Sequence, residues 1–356
     1  MANERSPRAQ GQTAGTATDA PPPGFDEITS DRGFFGHPRG LSTLFFTEMW
    51  ERFSYYGLRP LLVLFMAAAL ADGGFGFSRD QASAIVGIYG FSVYLASLPG
   101  GWVADRLLGL QRAIFVGACL ITAGHLSIGL SGLAGPGGGK VPFFLGLILI
   151  VLGTGLLKPN ISAIVGDLYP EGGSRRDAGF SIFYMGINTG AFAGQLITGA
   201  LGEKIGWHWG FGAAGVGMAL GLVVFAMRRH KTLRGIGVEP TRHPDAAVQT
   251  RQERTVKIAT FGGLALIAVV FFLAASGAMT IDAQAIGRHL VNITLGVVTL
   301  FFVYVFIAGG IDTDEKKRVA VIFVLFLFAI VFWGAFEQAP TSLNLFARDF
   351  TDRRIG

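Results

Sequence analysis

The sequence predicts an all-α transmembrane protein, and three observations support that fold class. Apolar residues make up 51% of the 356 residues, charged residues only 15%, and phenylalanine occurs 31 times. The apolar residues are gathered in long segments that contain few charges. Because the hydrocarbon core of a bilayer is about 30 Å thick, each spanning helix needs about 20 such residues. The chain has enough apolar sequence for several spans.

Nine segments meet that length requirement. They cover residues 41–70, 81–104, 112–131, 141–166, 179–202, 208–227, 257–276, 290–310 and 319–338. The first six form one group, residues 41–227, which a polar linker of residues 228–256 separates from the remainder. The next two, within residues 257–310, lack central charges and predict a hairpin of lipid-facing helices. Residues 1–40 are rich in Pro, Gly, Thr and Ala, so they predict a disordered tail without a signal peptide.

The basic residues predict the orientation of the chain in the membrane. When alternate loops are assigned to one side, most arginines and lysines fall together with the N-terminal tail. The positive-inside rule then places the amino terminus in the cytoplasm. This asymmetry accounts for most of the net charge of +5, which therefore does not indicate nucleic-acid binding.

The first span carries the most informative motif, a row of ionisable and aromatic side chains. Glu48, Arg52, Tyr55, Tyr56 and Arg59 are spaced so that they share one face of a helix. A charge at the centre of a membrane costs roughly 2.5–3.5 kcal/mol on insertion scales, so such charges pair and face protein or water. The row predicts a functional polar surface, and a purely structural ion network is the alternative.

Other spans place further polar groups in apolar surroundings. Lys158 precedes Pro159, which removes a backbone donor from the helix. Asn188 offers an amide between small residues, and Glu337 adds a carboxylate to the last span. The intramembrane set balances three acids against three bases, namely Glu48, Glu51, Glu337, Arg52, Arg59 and Lys158.

Five short motifs of the chain resemble signatures of known protein families. The loop after the second span, GGWVADRLLGLQR, resembles the cytoplasmic loop motif of the major facilitator superfamily. Four further motifs resemble signatures of the proton-coupled oligopeptide transporter family, a branch of that superfamily: EMWERFSYYG, GTGLLKPN, FYMGINTGA and FWGAFEQ. The resemblance covers about residues 34–350.

The resemblance implies a major-facilitator-type fold of two six-helix bundles around a central cavity. Residues 257–310 then correspond to a two-helix insertion, and residues 319–356 contain the first helix of the second bundle. The implied function is symport of protons with di- and tripeptides across the inner membrane of the cell. Protons are the coupling ion, no other cofactor is expected, and peptides and the lipid bilayer are the expected partners.

The resemblance also assigns roles to individual residues. The proton-coupling residues that it implies are Glu48, Glu51, Arg52, Lys158 and Glu337. The substrate-binding residues that it implies are Tyr55, Tyr56, Arg59, Tyr94, Lys158, Asn188 and Glu337. In this assignment Arg59 and Lys158 receive the carboxylate of the peptide, and Glu337 pairs with Arg59.

The family pattern continues for five further spans, so we expect this chain to be a fragment of a transporter. Alternatives are a related secondary transporter of nitrate, an amino acid or another small anion, and a non-transporting receptor or scaffold. A membrane enzyme is disfavoured, since the sequence has no metal-ligand spacing and no paired serine and histidine. Cys119 is the single cysteine and excludes an intrachain disulfide, and His125 is interpreted as a packed histidine.

Overall fold

The computed structural model describes residues 24–135 and 139–352, which form eleven α-helices. The nine long helices are α2 (Arg39–Ala67), α3 (Arg79–Val103), α4 (Leu110–Leu130), α5 (Lys140–Asp167), α6 (Gly173–Lys204), α7 (Trp207–Thr232), α8 (Ala246–Ala275), α9 (Ala283–Ala308) and α10 (Thr313–Phe336). Two short helices, α1 (Phe25–Ser30) and α11 (Ser342–Phe350), lie at the two ends of the described chain.

Each long helix overlaps one of the nine predicted spans. Among the described residues, seven helices are long and apolar enough to cross a membrane. The other two long helices, α2 and α6, contain the charged row and the FYMGINTGA motif, so their mean hydropathy is lower. The all-α transmembrane fold predicted from the sequence is confirmed.

The first six long helices pack into one bundle with a shared apolar core. Helix α4 packs most extensively against α5, α2 against α6 and α7, and α3 against α5. Phe65, Phe143 and Phe211 are fully buried, and the ring of Phe65 lies 5.2 Å and 5.3 Å from the other two rings. Aromatic pairs at this spacing add stabilisation to the burial itself. This packing fixes the rotation of α2 and therefore the direction in which its charged row points.

Helices α4 and α5 approach closely because two pairs of glycines face one another. A methyl group on Gly117 would lie 2.6 Å from the carbonyl oxygen of Gly153. A methyl group on Gly124 would lie 2.6 Å from the carbonyl oxygen of Gly146. Small residues of this kind allow the backbones of membrane helices to touch. Side chains larger than glycine would separate the two helices.

We expect Gly153→Ala to lower the thermal stability of the purified protein. Its methyl group would lie 2.6 Å from the carbonyl oxygen of Gly117, and overpacking of this kind costs about 1–3 kcal/mol. Gly129→Ala is the matched control, because a methyl group there meets no atom within 4 Å. Thermal unfolding in detergent measures both variants. Equal melting temperatures would show that the interface tolerates the methyl group.

The prediction of a disordered tail up to residue 40 is wrong for residues 24–40. Arg234 donates to both carboxylate oxygens of Glu27, over 2.6 Å and 3.1 Å, and so connects α1 to the chain after α7. Nδ1 of His37 lies 2.8 Å from the hydroxyl of Tyr169 in a buried contact. These partners are remote in sequence, so local composition does not reveal them. The rest of the predicted tail, the first 23 residues, lies outside the described residues.

The polar linker predicted at residues 228–256 is shorter in the structure. Only residues 233–245 lie between α7 and α8, because polar residues at both ends continue the flanking helices. The side-chain amide of Gln111 donates to the carbonyl oxygen of Ile236 over 2.7 Å. The backbone N–H of Thr241 donates to the carbonyl oxygen of Asp105 over 2.8 Å. The linker is therefore attached to the cytoplasmic loop motif.

Helices α8 and α9 form a hairpin outside the six-helix bundle. Both contact α3, and most of their side chains are exposed and apolar. Helix α10 follows and contacts α9 through aromatic rings. The ring centre of Phe302 on α9 lies 4.8 Å from that of Phe323 and 5.9 Å from that of Phe326, both on α10. The hairpin therefore connects the first bundle to the last long helix.

Candidate functional site

Three charged side chains of the row on α2 form a buried cluster. Glu48, Glu51 and Arg52 are each at most 2% exposed. Nε of Arg52 lies 3.2 Å from Oε1 of Glu48 and also donates to the carboxylate of Glu51. Oε2 of Glu48 and Nη2 of Arg52 have no hydrogen-bond partner among the described residues. One guanidinium thus serves two carboxylates, so the cluster of Glu48, Glu51 and Arg52 carries one excess negative charge when both acids are ionised.

Tyr55 separates this cluster from the next arginine on α2. The guanidinium carbon of Arg52 lies 4.9 Å from the centre of the Tyr55 ring, and that of Arg59 lies 5.4 Å away. Tyr89 on α3 stacks on Tyr55 with the ring centres 6.3 Å apart. Cations over an aromatic face are attracted by the ring. The hydroxyl groups of both tyrosines are buried and have no partner among the described residues.

Lys158 on α5 supplies the third cation of the site. It is partly buried, and its ammonium lies 4.7 Å from the centre of the Tyr94 ring. Within the described ranges, Lys158 has no carboxylate oxygen within 4 Å. The ammonium is therefore free to bind an anion.

An ion pair between Arg59 and Glu337 joins α2 to the end of α10. The Arg59 side chain is 9% exposed and that of Glu337 is 34% exposed, so the acid faces open space more than the base does. Beside this pair, the amide of Asn344 on α11 donates to the carbonyl oxygen of Pro60 over 2.8 Å. These contacts connect the first bundle to the segment that follows the hairpin.

The remaining predicted site residues lie at different distances from the charges. Tyr56 packs edge-on against Tyr55, with the ring centres 5.2 Å apart. Tyr94 is 53% exposed, and its ring lies 4.7 Å from the ammonium of Lys158. The side chain of Asn188 is exposed and donates to the carbonyl oxygen of Tyr184 in its own helix. No contact among the described residues connects Asn188 with the charged cluster.

The structure adds two buried polar residues that the sequence analysis did not identify. The hydroxyl of Tyr89 stands next to Tyr55, and Thr154, one turn before Lys158, also has a buried hydroxyl without a partner in the described part of the chain. Tyr89 could have been identified from the sequence, because it places a phenol inside an apolar span. Thr154 gives no such signal, because threonine commonly bonds to the carbonyl of the preceding turn of its helix.

The polar surface as a whole holds three acids and three bases in an apolar bundle. Two carboxylates share Arg52, and one carboxylate pairs with Arg59. The ammonium of Lys158 lies over the Tyr94 ring and has no ion-pair partner among the described residues. In such surroundings, charges interact more strongly than in water. Adding or removing one proton therefore changes which charges are paired.

Comparison with known proteins gives consistent matches. The chain matches the profile described as "POT family" over residues 111–356. It is 48% identical, over 332 residues, to the peptide transporter YePEPT of Yersinia enterocolitica subsp. palearctica serotype O:3 (strain YE-P4), covering 91% of this chain and 63% of that protein. It is 43% identical to a di-/tripeptide transporter of Lactococcus lactis subsp. cremoris, covering 88% of this chain and 61% of that protein.

Solved structures agree with these matches. The crystal structure of peptide transporter POT in complex with sulfate is similar with a TM-score of 0.79 and 43% identity, over 93% of this chain and 66% of that one. A POT family transporter in complex with 5-aminolevulinic acid gives a TM-score of 0.80 and 35% identity, over 91% of this chain and 64% of that one. The chain thus spans somewhat less than two thirds of the length of these proteins.

Proposed function

This chain belongs to the POT family, and we propose from that premise that it contributes to symport of protons with di- and tripeptides. The observation that carries the proposal is the ion pair between Arg59 and Glu337, in a structure that leaves the ammonium of Lys158 without an ion-pair partner among the described residues. The relatives named as peptide and di-/tripeptide transporters support this substrate class.

The charges suggest how proton binding and peptide binding are linked. A peptide carries a carboxylate, and Lys158 is available to pair with it. Arg59 is engaged by Glu337 until a proton neutralises that carboxylate. The released guanidinium can then bind the peptide carboxylate with two parallel hydrogen bonds. Proton binding to Glu337 therefore strengthens peptide binding, and peptide binding strengthens proton binding.

The cluster on α2 offers a second place for a proton. Arg52 balances only one of the two carboxylates of Glu48 and Glu51. The excess negative charge can be compensated by a proton or by the approach of Lys158, so a peptide that recruits Lys158 favours protonation here. We assign Glu48, Glu51, Arg52, Lys158 and Glu337 to proton coupling on this basis.

The remaining assignments concern peptide contacts and location. We propose that Tyr55, Tyr56, Tyr94 and Asn188 contact the peptide backbone or side chains, next to Arg59, Lys158 and Glu337. The exposed positions of Tyr94 and Asn188 leave them open to a ligand. The distribution of basic residues supports a place in the inner membrane of the cell with a cytoplasmic amino terminus.

Tyr55→Phe is expected to weaken peptide binding without lowering stability. The hydroxyl of Tyr55 is buried and has no partner among the described residues, so its removal leaves both cation–ring contacts in place. If the hydroxyl forms a hydrogen bond with the peptide, its loss lowers the binding free energy by about 1 kcal/mol, which corresponds to about a fivefold rise in Kd. Binding titration and thermal unfolding measure the two effects. An unchanged Kd would remove Tyr55 from the peptide contacts.

Uptake by the full-length protein in liposomes tests the proposed function. We expect an inward proton gradient to drive accumulation of labelled dialanine, and collapse of the gradient to abolish it. Unlabelled tripeptide should compete, whereas nitrate and free alanine should not. Competition by nitrate or alanine alone would assign the charges to a different small substrate. Binding of dialanine without any uptake would favour a receptor.

A further inference from the structure

A groove of about 480 Å³ lies between α3, α9 and α10, away from the charged site. It is lined by apolar and small side chains, including Gly87, Phe91, Gly287, Leu295, Phe326 and Ile330. Because these helices are membrane spans, the groove lies at the depth of the hydrocarbon region. Its walls suit an apolar chain and offer little to a polar ligand.

Two glycines create the space in this groove. A methyl group on Gly87 or on Gly287 would meet no atom within 4 Å. These glycines therefore do not serve close contact between helix backbones, in contrast to the glycines between α4 and α5. Glycine destabilises a helix interior by about 1 kcal/mol relative to alanine. The open space at both positions leaves room for a ligand.

One end of the groove continues into a polar mouth. A shallow, open depression shares Ala84, Gly287 and Val291 with the groove, and it is also lined by Asp80, Gln284, Arg288 and Asn292. Asp80 lies in the first turn of α3, and Arg288 in the second turn of α9. Both helices therefore begin at the side of the membrane where the polar mouth lies. The carboxylate of Asp80 and the guanidinium of Arg288 have no hydrogen bond or ion pair within the described part of the chain.

We propose that the groove and its mouth bind one phospholipid whose headgroup carries both a phosphate and a primary ammonium, as in phosphatidylethanolamine. An acyl chain fills the apolar groove, the phosphate pairs with Arg288, and the ammonium donates to Asp80. A quaternary ammonium lacks the N–H groups for Asp80, so phosphatidylcholine fits less well. A glycerol headgroup brings no cation, so Asp80 repels the anionic phosphatidylglycerol.

Lipid retention by the full-length protein tests the headgroup assignment. We expect native mass spectrometry with equal amounts of the three lipids, all with the same acyl chains, to show phosphatidylethanolamine retained about fivefold over phosphatidylglycerol, the factor expected of an exposed charge pair. Asp80→Asn should remove that preference, and Arg288→Gln should reduce retention of all three lipids. Asp72→Asn and Lys204→Gln remove exposed charges on the same side of the membrane and should leave the preference unchanged.

Filling the groove tests the acyl-chain assignment. Gly87→Leu and Gly287→Leu place side chains in open space, so each should reduce the retention of bound lipid while the melting temperature stays the same or rises. Equal retention of the three lipids by the unmodified protein would overturn the proposal. So would a preference that survives Asp80→Asn, or retention that neither leucine reduces. Each of these is the result expected if another segment of the protein covers the groove.

Discussion

Glu337→Gln in the full-length protein is expected to abolish proton-driven accumulation of dipeptide while exchange of peptide for peptide continues. Glutamine has nearly the size of glutamate and is permanently neutral, so it imitates the protonated side chain. Arg59 is then released from its ion pair at every pH. Peptide can still bind and cross the membrane, but no proton is carried with it at this position. Counterflow and gradient-driven uptake in the same liposomes measure the two modes.

A structural role for the same ion pair gives a different result. Removing the acid leaves the 9% exposed side chain of Arg59 without its partner. The cost is about 3–5 kcal/mol for a fully buried pair, and it is smaller here because Glu337 is 34% exposed. Both transport modes would then fall together with the melting temperature. Glu253→Gln is the matched control, because Glu253 forms an exposed ion pair with Lys257 over 3.6 Å, remote from the site. Accumulation that persists in Glu337→Gln would also remove this carboxylate from coupling.

Lys158→Ala is expected to weaken binding of a free dipeptide by roughly 10- to 100-fold, the range of a hydrogen bond to a charged partner. The C-terminal amide of the same dipeptide lacks the carboxylate, so its affinity should change about twofold at most. Arg59→Ala should also weaken binding of the free dipeptide more than binding of the amide. Its effect should be smaller than that of Lys158→Ala, because Glu337 already pairs with Arg59. Competition against labelled dialanine measures all four combinations.

Lys140→Ala is the matched control for this comparison. Lys140 also lies on α5, but it contacts the ring of Phe77 at the other end of the helix. Its removal should change the affinity for the free dipeptide and for the amide equally little. If Lys158→Ala weakens the two ligands to the same extent, then Lys158 does not bind the carboxylate.

The row on α2 was predictable from sequence because helical spacing alone aligns its members. Glu48 and Arg52 are one turn apart, and the structure places their side chains within 3.2 Å. The nine spans followed from apolar length in the same direct way. The pair of Arg59 with Glu337 has no local signal, since the residues are 278 positions apart. Its prediction depended on the resemblance to a family.

The ordered segment before α2 could not be predicted from its composition. Glu27 and Arg234 are 207 positions apart, and each is an ordinary surface residue in its own sequence context. The same holds for the groove beside α9. Its glycines at positions 87 and 287 look like packing residues in the sequence. Only the tertiary arrangement shows that one set of glycines closes an interface and another set leaves space.

The separation between Arg59 and Glu337 has a consequence for synthesis of the protein. At roughly 5–20 residues per second, the ribosome needs about 14–56 seconds to add the 278 residues between them. Helix α2 precedes α10 in the chain, so Arg59 must remain without its acid for that time. The rings of Tyr55 and Tyr89 become available much earlier, and Tyr55 lies 5.4 Å from the guanidinium carbon. Tyr55, on which Tyr89 stacks, can stabilise the guanidinium of Arg59 until α10 is inserted into the membrane.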